Sequence, residues 1–142
     1  VWPAGRVGMH LAPRGDSHTM GDSNPAETFG YVARELGRRN LAFLASREHP
    51  GDDQLGPQLK KAFGGIYFAN ENYTLEAANA AIAAGDADAV LFGKQFIANP
   101  DLPRRFAEGA PLNEPDFATF YGGGAKGYVD YPFLPESRAA AE

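Results

Sequence analysis

Four short apolar runs recur along the chain, and each is followed by a stretch with helical spacing or by a glycine or proline. We predict one strand at each run, at residues 6–12, 41–45, 66–69 and 89–92. The run at 89–92 has no polar residue alternating with its apolar ones, and the runs at 6–12 and 41–45 are also interpreted as short buried strands. Such a pattern is typical of strands covered on both faces, as in a parallel sheet wrapped by helices.

Helices are predicted between the strands. The first begins with Pro25 at its first position, is capped by Ser23 or Asn24, and is stopped by Gly37. Further helical segments are predicted at 58–63, ended by the two glycines that follow, at 75–84 after a threonine cap, and at 101–108. Strand and helix thus alternate four times, which predicts a parallel α/β fold. Periodicity alone leaves three forms open: a doubly wound sheet, half of an eight-stranded barrel, or a barrel built from two copies.

The remainder of the chain, residues 110–142, has no helical period and is rich in glycine, proline and aromatic residues. We expect this irregular aromatic tail to pack as a cover over the fold. The predicted organisation is a single domain, in which residues 1–109 form the four strand-helix units and residues 110–142 form the covering segment.

Composition excludes several classes of function. The chain has 142 residues, of which 44% are hydrophobic and 22% charged, with a net charge of −5 and no cysteine. A disulfide scaffold, a thiolate metal site and a cysteine nucleophile are therefore excluded, and no basic face for nucleic acid is expected. The loops around His18 and His49 contain aspartates but no metal-ligand spacing, so no metal site is predicted. Without a membrane span or leader, we expect a cytoplasmic protein; the chain begins with Val1, not Met, so we do not expect a natural start there.

One turn carries candidate chemistry. Gly93 and Lys94 stand between the last predicted strand and a helix. Glycine lets backbone approach an anion, lysine supplies positive charge, and the helix start offers N–H donors. This arrangement predicts a phosphate site, the alternative being an ordinary strand-to-helix turn.

Three separated segments resemble one known family. They are Arg-Val-Gly-Met-His-Leu-Ala-Pro at 6–13, Phe-Gly-Lys-Gln-Phe-Ile-Ala-Asn-Pro-Asp-Leu at 92–102 and Phe-Tyr-Gly-Gly-Gly-Ala-Lys-Gly-Tyr-Val-Asp-Tyr-Pro at 120–132. In this order they resemble the Old Yellow Enzymes, flavin-dependent ene-reductases on a (β/α)8 barrel, especially the bacterial enoate and nitro-ester reductases. The resemblance implies that the chain is the C-terminal half of a TIM barrel, strands five to eight, plus the aromatic tail. A whole barrel needs about 250 residues.

The resemblance implies a site for flavin mononucleotide (FMN). Lys94 stands where the family has an arginine that grips the FMN phosphate, and Gly93 adds a backbone N–H. Asn70, Glu71 and Asn72 match the phosphate loop after the seventh strand, with the carboxylate of Glu71 expected to point away from the phosphate.

The other implied contacts concern the flavin ring and the substrate. His10 stands beside the N1 and O2 edge of the flavin, and Phe120 packs by the isoalloxazine ring. Tyr121 lines the substrate pocket. The loop at 46–53 caps that pocket, where Arg47 touches substrate or nicotinamide.

The implied reaction is reduction of activated C=C bonds in enones, enals or nitro compounds with NAD(P)H. The family's residues that orient the substrate and protonate the alkene belong to the front half, so no catalytic residue is expected in this chain. A split, cleaved or permuted enzyme would then need a complementary N-terminal half-barrel chain or a second copy. The alternatives are a non-enzymatic half-barrel or self-associating scaffold without flavin, and a phosphosugar-type half-barrel.

Overall fold

Four parallel strands lie side by side in chain order in the computed structural model, which describes residues 1–15 and 19–135. The strands are β1 (Gly8–Leu11), β2 (Phe43–Arg47), β3 (Ile66–Asn70) and β4 (Ala89–Leu91). Each pairs in parallel with the next. The predicted parallel α/β fold is confirmed, and the unbroken order favours a barrel segment over a doubly wound sheet, whose order reverses at a switch point.

The chain divides into two units, and each is described by itself. The first is Val1–Leu91 and contains the whole sheet, whereas the second is Phe92–Glu142. In the described residues, no helix is both long enough and apolar enough to cross a membrane.

Three α-helices connect the strands of the first unit, after a short 3₁₀ turn at Ala4–Arg6: α1 (Pro25–Arg38), α2 (Gly56–Phe63) and α3 (Leu75–Ala84). The Asn24 side chain accepts a hydrogen bond from the Glu27 N–H, so Asn24 is the cap of α1. Thr74 caps α3 by accepting from the Ala77 N–H at 3.1 Å, and Gly85 ends it with φ 77°. Local capping chemistry therefore predicted the start of α1 and both ends of α3.

The predicted stop of α1 at Gly37 is wrong. The helix continues to Arg38, and the left-handed residue comes later, at Asn40 with φ 55°. A Cβ at Gly37 would lie 2.2 Å from the carbonyl oxygen of Phe63, at the end of α2. Glycine is needed here because two helices approach closely, which a local pattern does not reveal.

One face of the sheet is buried against the helices. On one face Leu44, Ser46, Tyr67 and Ala69 are no more than 4% exposed, and α2 packs against β2 and β3. A Cβ at Gly56 of α2 would lie 2.8 Å from the Tyr67 hydroxyl oxygen, so this face is turned toward the helices.

The outer strands are more exposed than predicted. Met9 in β1 is 39% exposed and Leu91 in β4 is 37% exposed. Both strands stand at the edges of the sheet, where only one neighbouring strand adjoins them. The expectation that residues 6–12 and 89–92 form buried strands is therefore wrong for this chain.

The second unit contains two short helices and the irregular tail. They are α4 (Lys94–Ala98) and α5 (Leu102–Glu108), and in the described part of the chain no helix or strand follows them. The guanidinium of Arg105 donates to Asp101 at 2.7 Å and to the carbonyl oxygens of Pro111 and Pro132 at 2.6 and 2.9 Å. One buried arginine thus ties both ends of the aromatic tail to α5.

Candidate functional site

Three of the predicted site residues share one face of the sheet. His10 pairs in register with Ala45, two residues before Arg47, and Arg47 pairs with Asn70. Because alternate residues of a strand face the same side, His10, Arg47 and Asn70 lie on the face opposite Leu44. His10 and Arg47 are exposed there. The first unit therefore places an imidazole, a guanidinium and an amide near the carboxyl ends of three consecutive strands.

The loop after β3 has an unusual backbone. Glu71 and Asn72 take φ values of 87° and 56°. Asparagine enters this left-handed region readily, whereas a residue such as glutamate does so at a cost of about 1–2 kcal/mol. The side-chain amide of Asn70 donates to the backbone carbonyl of Leu91 at 2.8 Å. The backbone carbonyl of Asn70 accepts from the Glu48 N–H at 3.0 Å. These contacts fix the start of the loop against the neighbouring segments on either side.

Arg47 and Glu71 form an ion pair across two loops. Arg47 Nε lies 3.0 Å from Glu71 Oε2, with the side chains 44% and 24% exposed. The carboxylate of Glu71 is thus directed toward the end of β2. The sequence predicted neither partner for the other, because the two residues are far apart along the chain.

Glu48 is a charged residue at this edge that sequence reasoning missed. It is 4% exposed, and its carboxylate accepts from Arg14 Nε at 2.7 Å, from the Leu55 N–H at 2.8 Å and from the Gly56 N–H at 2.9 Å. Arg14 also donates to Asp53 at 2.7 Å. The hydrogen bond to Glu48 raises the pKa of the Arg14 guanidinium, against the opposing effect of burial.

The consequence is that the loop at 46–53 is anchored at both ends. The helix α2 starts at Gly56, two residues before the predicted position 58, and no side chain of Leu55 caps it. A helix start with no local acceptor for its N–H groups must find one elsewhere, and a carboxylate at this positive end of the helix is favoured.

A buried tyrosine lies beneath this network. Burial raises the pKa of Tyr67 to about 12, and the nearby Glu48 charge acts in the same direction. Tyr67 is therefore neutral at ordinary pH. It faces α2 rather than the face that carries His10, so we assign it to the core.

In the second unit, the turn at Gly93 and Lys94 differs in two respects from the phosphate turn that the sequence predicts. Gly93 precedes α4 with φ −91°, a value open to any residue, and a Cβ there would meet nothing within 4 Å. The space around Gly93 is open, but its conformation does not require glycine. Lys94 is the first residue of a helix of 5 residues, so the helix dipole contributes less than the sequence suggests. Its Nζ lies 5.7 Å from the centroid of the Phe117 ring.

The predicted aromatic pair divides into a buried and an exposed member. Phe120 is 3% exposed and packs against Phe117, with the ring centroids 5.3 Å apart. Tyr121 is 86% exposed. Tyr121 is therefore exposed, with its ring centroid 6.4 Å from that of Phe120, whereas Phe120 is packed within the second unit.

Metal ligation has no support in the part of the chain that the structure describes. Within residues 1–15 and 19–135, no group of three or more His, Asp or Glu side chains is placed to hold a metal ion. His18 lies outside the described residues.

Curated relatives match nearly the whole chain. A putative 12-oxophytodienoate reductase 12 from Oryza sativa subsp. japonica is 39% identical over 149 residues, covering 94% of this chain and 37% of the relative. A probable flavin mononucleotide-dependent alkene reductase from Leishmania infantum is 37% identical over 135 residues, covering 91% of this chain and 36% of the relative. No family model matches the chain.

Solved structures agree in fold and in extent. Morphinone reductase in complex with tetrahydroNAD has a TM-score of 0.82 at 44% identity, covering 91% of this chain and 36% of that one. The old yellow enzyme homologue from Zymomonas mobilis has a TM-score of 0.83 at 42% identity, covering 89% of this chain and 38% of that one. The chain thus spans less than half the length of the proteins it matches.

Proposed function

Because the chain belongs to the Old Yellow Enzyme family, of whose compared members it spans 36% to 38%, we propose that it forms the FMN-binding part of an ene-reductase barrel. The proposed reaction is reduction of activated C=C bonds, in enones, enals or nitro compounds, with NAD(P)H as the hydride donor. Two similarities support it: one relative is described as a probable flavin mononucleotide-dependent alkene reductase, and one solved neighbour is in complex with tetrahydroNAD.

The observation that carries this proposal is the shared face of His10, Arg47 and Asn70 near the carboxyl ends of consecutive parallel strands. Barrels of this architecture bind their ligands at that end, and commonly hold phosphate with the loops after strands seven and eight. The sheet order and the fold of the solved neighbours are consistent with a partial barrel, and we propose that its strands are the fifth to the eighth.

The donor set of the first unit fits FMN. His10 is exposed, and its ring can donate to the N1 and O2 edge of a flavin, where a donor stabilises developing negative charge. Backbone N–H groups of Asn70, Glu71 and Asn72 would bind the phosphate. When bound, FMN supplies hydride transfer to and from its ring, which no side chain can perform.

For the second unit, described by itself, the proposal rests on the residues that the resemblance implies. Lys94 is exposed, and the space at Gly93 is open, as an anion site requires. Lysine is a point charge without the two-pronged geometry of arginine, so the proposed phosphate contact is less directional. We assign Tyr121 to the substrate pocket; Phe120 is 3% exposed and packs against Phe117 and Tyr121, so we assign it to holding Tyr121 in place rather than to the flavin ring.

Catalysis would require the rest of a barrel, because we assign no proton donor and no substrate-orienting residue in this chain. The edge strands β1 and β4 are partly exposed, and uncovered edges favour pairing with further strands. A complementary half-barrel chain or a second copy of this chain is the proposed partner.

The test is titration of the purified chain with FMN, monitored by flavin absorbance and fluorescence, with riboflavin as the phosphate-free probe. Lys94→Met should weaken FMN binding and leave riboflavin binding unchanged, whereas His10→Ala should weaken both. Lys61→Met is the matched control, because Lys61 is an exposed lysine on α2. A colourless chain that binds neither flavin, alone or as an oligomer, would refute the proposal and favour the scaffold alternative.

A further inference from the structure

The ion pair between Arg47 and Glu71 joins the end of β2 to the loop after β3, with 3.0 Å between Nε and Oε2. Arg47 is the last residue of β2, and its register partner is Asn70, the last residue of β3. Glu71 follows Asn70 immediately and is the first residue of the loop after β3. The contact therefore holds the start of this loop against the end of the neighbouring strand β2.

The backbone at Glu71 indicates that its side chain has a role. With φ at 87°, this position suits glycine, which adopts the left-handed region without steric cost. Glutamate carries that cost and would also place a negative charge in a turn proposed to bind a phosphate dianion. Both disadvantages are offset only if the carboxylate makes a useful contact elsewhere, and its observed contact is Arg47.

We propose that Arg47 is a positioning residue that holds the Glu71 carboxylate against the end of β2, keeping the turn at residues 70–72 open to an anionic phosphate group. The inference rests on the proposed function, since it assigns the anion to this turn. It replaces the expected contact of Arg47 with substrate or nicotinamide by a contact with the loop. With the Arg47 guanidinium beside it, the Glu71 carboxylate repels an anion at the turn less than it would without that partner.

The test compares wild type, Arg47→Met, Glu71→Gln and the double variant, with FMN, inorganic phosphate and riboflavin as probes. Arg47→Met releases an uncompensated carboxylate beside the phosphate, so FMN and phosphate should bind roughly two- to fivefold more weakly at low salt. Glu71→Gln should bind both anions at least as tightly as wild type. The double variant should return to near wild-type affinity, and riboflavin binding should not change in any of them.

Two controls keep folding and general charge effects apart from the pair. Arg39→Met breaks an exposed ion pair with Glu35 on α1 and makes the same change in net charge, so its anion affinities should equal those of wild type. Unfolding in urea shows whether each variant is folded at the temperature of the titration. Added salt should shrink the effect of Arg47→Met, because it screens exposed charges.

The outcomes separate this inference from the proposed function. Equal affinities for FMN in wild type and Arg47→Met, or a double variant as weak as Arg47→Met, would overturn the inference and leave FMN binding standing. Phosphate binding with the expected pattern but without FMN binding would support the inference and defeat the flavin assignment. A chain that binds neither FMN nor phosphate would overturn both.

Discussion

Replacing Glu48 by glutamine should destabilise the first unit far more than its position in a loop suggests. Glutamine keeps the shape and one acceptor oxygen, but it removes the charge that balances Arg14 and presents an NH₂ group to backbone donors. The carboxylate is 4% exposed and accepts from Arg14, Leu55 and Gly56 at 2.7 to 2.9 Å. The substitution therefore leaves at least one buried donor without its acceptor.

The magnitude follows from the burial of the two partners. Hydrogen bonds to charged groups contribute about 1.5–3 kcal/mol, and breaking a buried ion pair costs about 3–5 kcal/mol. The Arg14 side chain is 28% exposed and regains water, which places the change below the second range. We expect a loss of about 2–3 kcal/mol in the free energy of unfolding.

The assay is urea unfolding of the full chain, followed by circular dichroism. The control is Glu35→Gln, whose carboxylate pairs with Arg38 and Arg39 on the surface of α1. Both pairs of Glu35 lie at the surface, where water screens them, so the control should lose clearly less stability than Glu48→Gln. If Glu48→Gln cost no more than Glu35→Gln, with equal denaturant slopes, the carboxylate would not be anchoring the loop and this reasoning would be wrong.

Two further predictions concern packing and pH. Gly37→Ala should lower the free energy of unfolding by about 1–3 kcal/mol, since its Cβ would lie 2.2 Å from the Phe63 carbonyl oxygen. Gly30→Ala in the same helix should raise the free energy of unfolding by about 0.5–1 kcal/mol. Thermal unfolding of both variants tests whether the two changes have opposite signs. Because burial raises the pKa of Tyr67 from 10.0 to about 12, the stability gained from keeping it neutral is complete below about pH 10 and is lost as pH rises through about 12. Ultraviolet titration of tyrosinate should show a late phase that Tyr67→Phe removes; an unchanged late phase in that variant would reject the assignment.

Helix starts and ends that depend on a few adjacent residues were predicted correctly from the sequence. The caps at Asn24 and Thr74 and the left-handed glycines at 64 and 85 follow from a few adjacent residues, and the structure has them as expected. Chain order and strand patterning also predicted the parallel sheet, whereas His10 and Asn70 were implied by the resemblance alone.

The failures concern contacts between residues distant in sequence. Gly37 resembles a helix stop until α2 is placed against it, and the acceptor for the start of α2 is supplied by Glu48 from the preceding strand's loop. The pairing of Arg47 with Glu71 depends on register and on the left-handed turn of the backbone, neither of which a linear pattern contains. The sequence therefore named several residues of the candidate site but not the ion pairs that organise it.

The clamp formed by Arg105 has a consequence for how this chain can change in length. Since Pro111 and Pro132 both bind one guanidinium, the segment between them is a closed loop with fixed ends. The entropy of closing a loop grows only with the logarithm of its length, at about 0.6 kcal/mol per doubling. Residues added at the exposed glycines 122–124 should therefore cost little in loop-closure entropy, but they would also displace Tyr121, the adjacent residue that we assign to the substrate pocket.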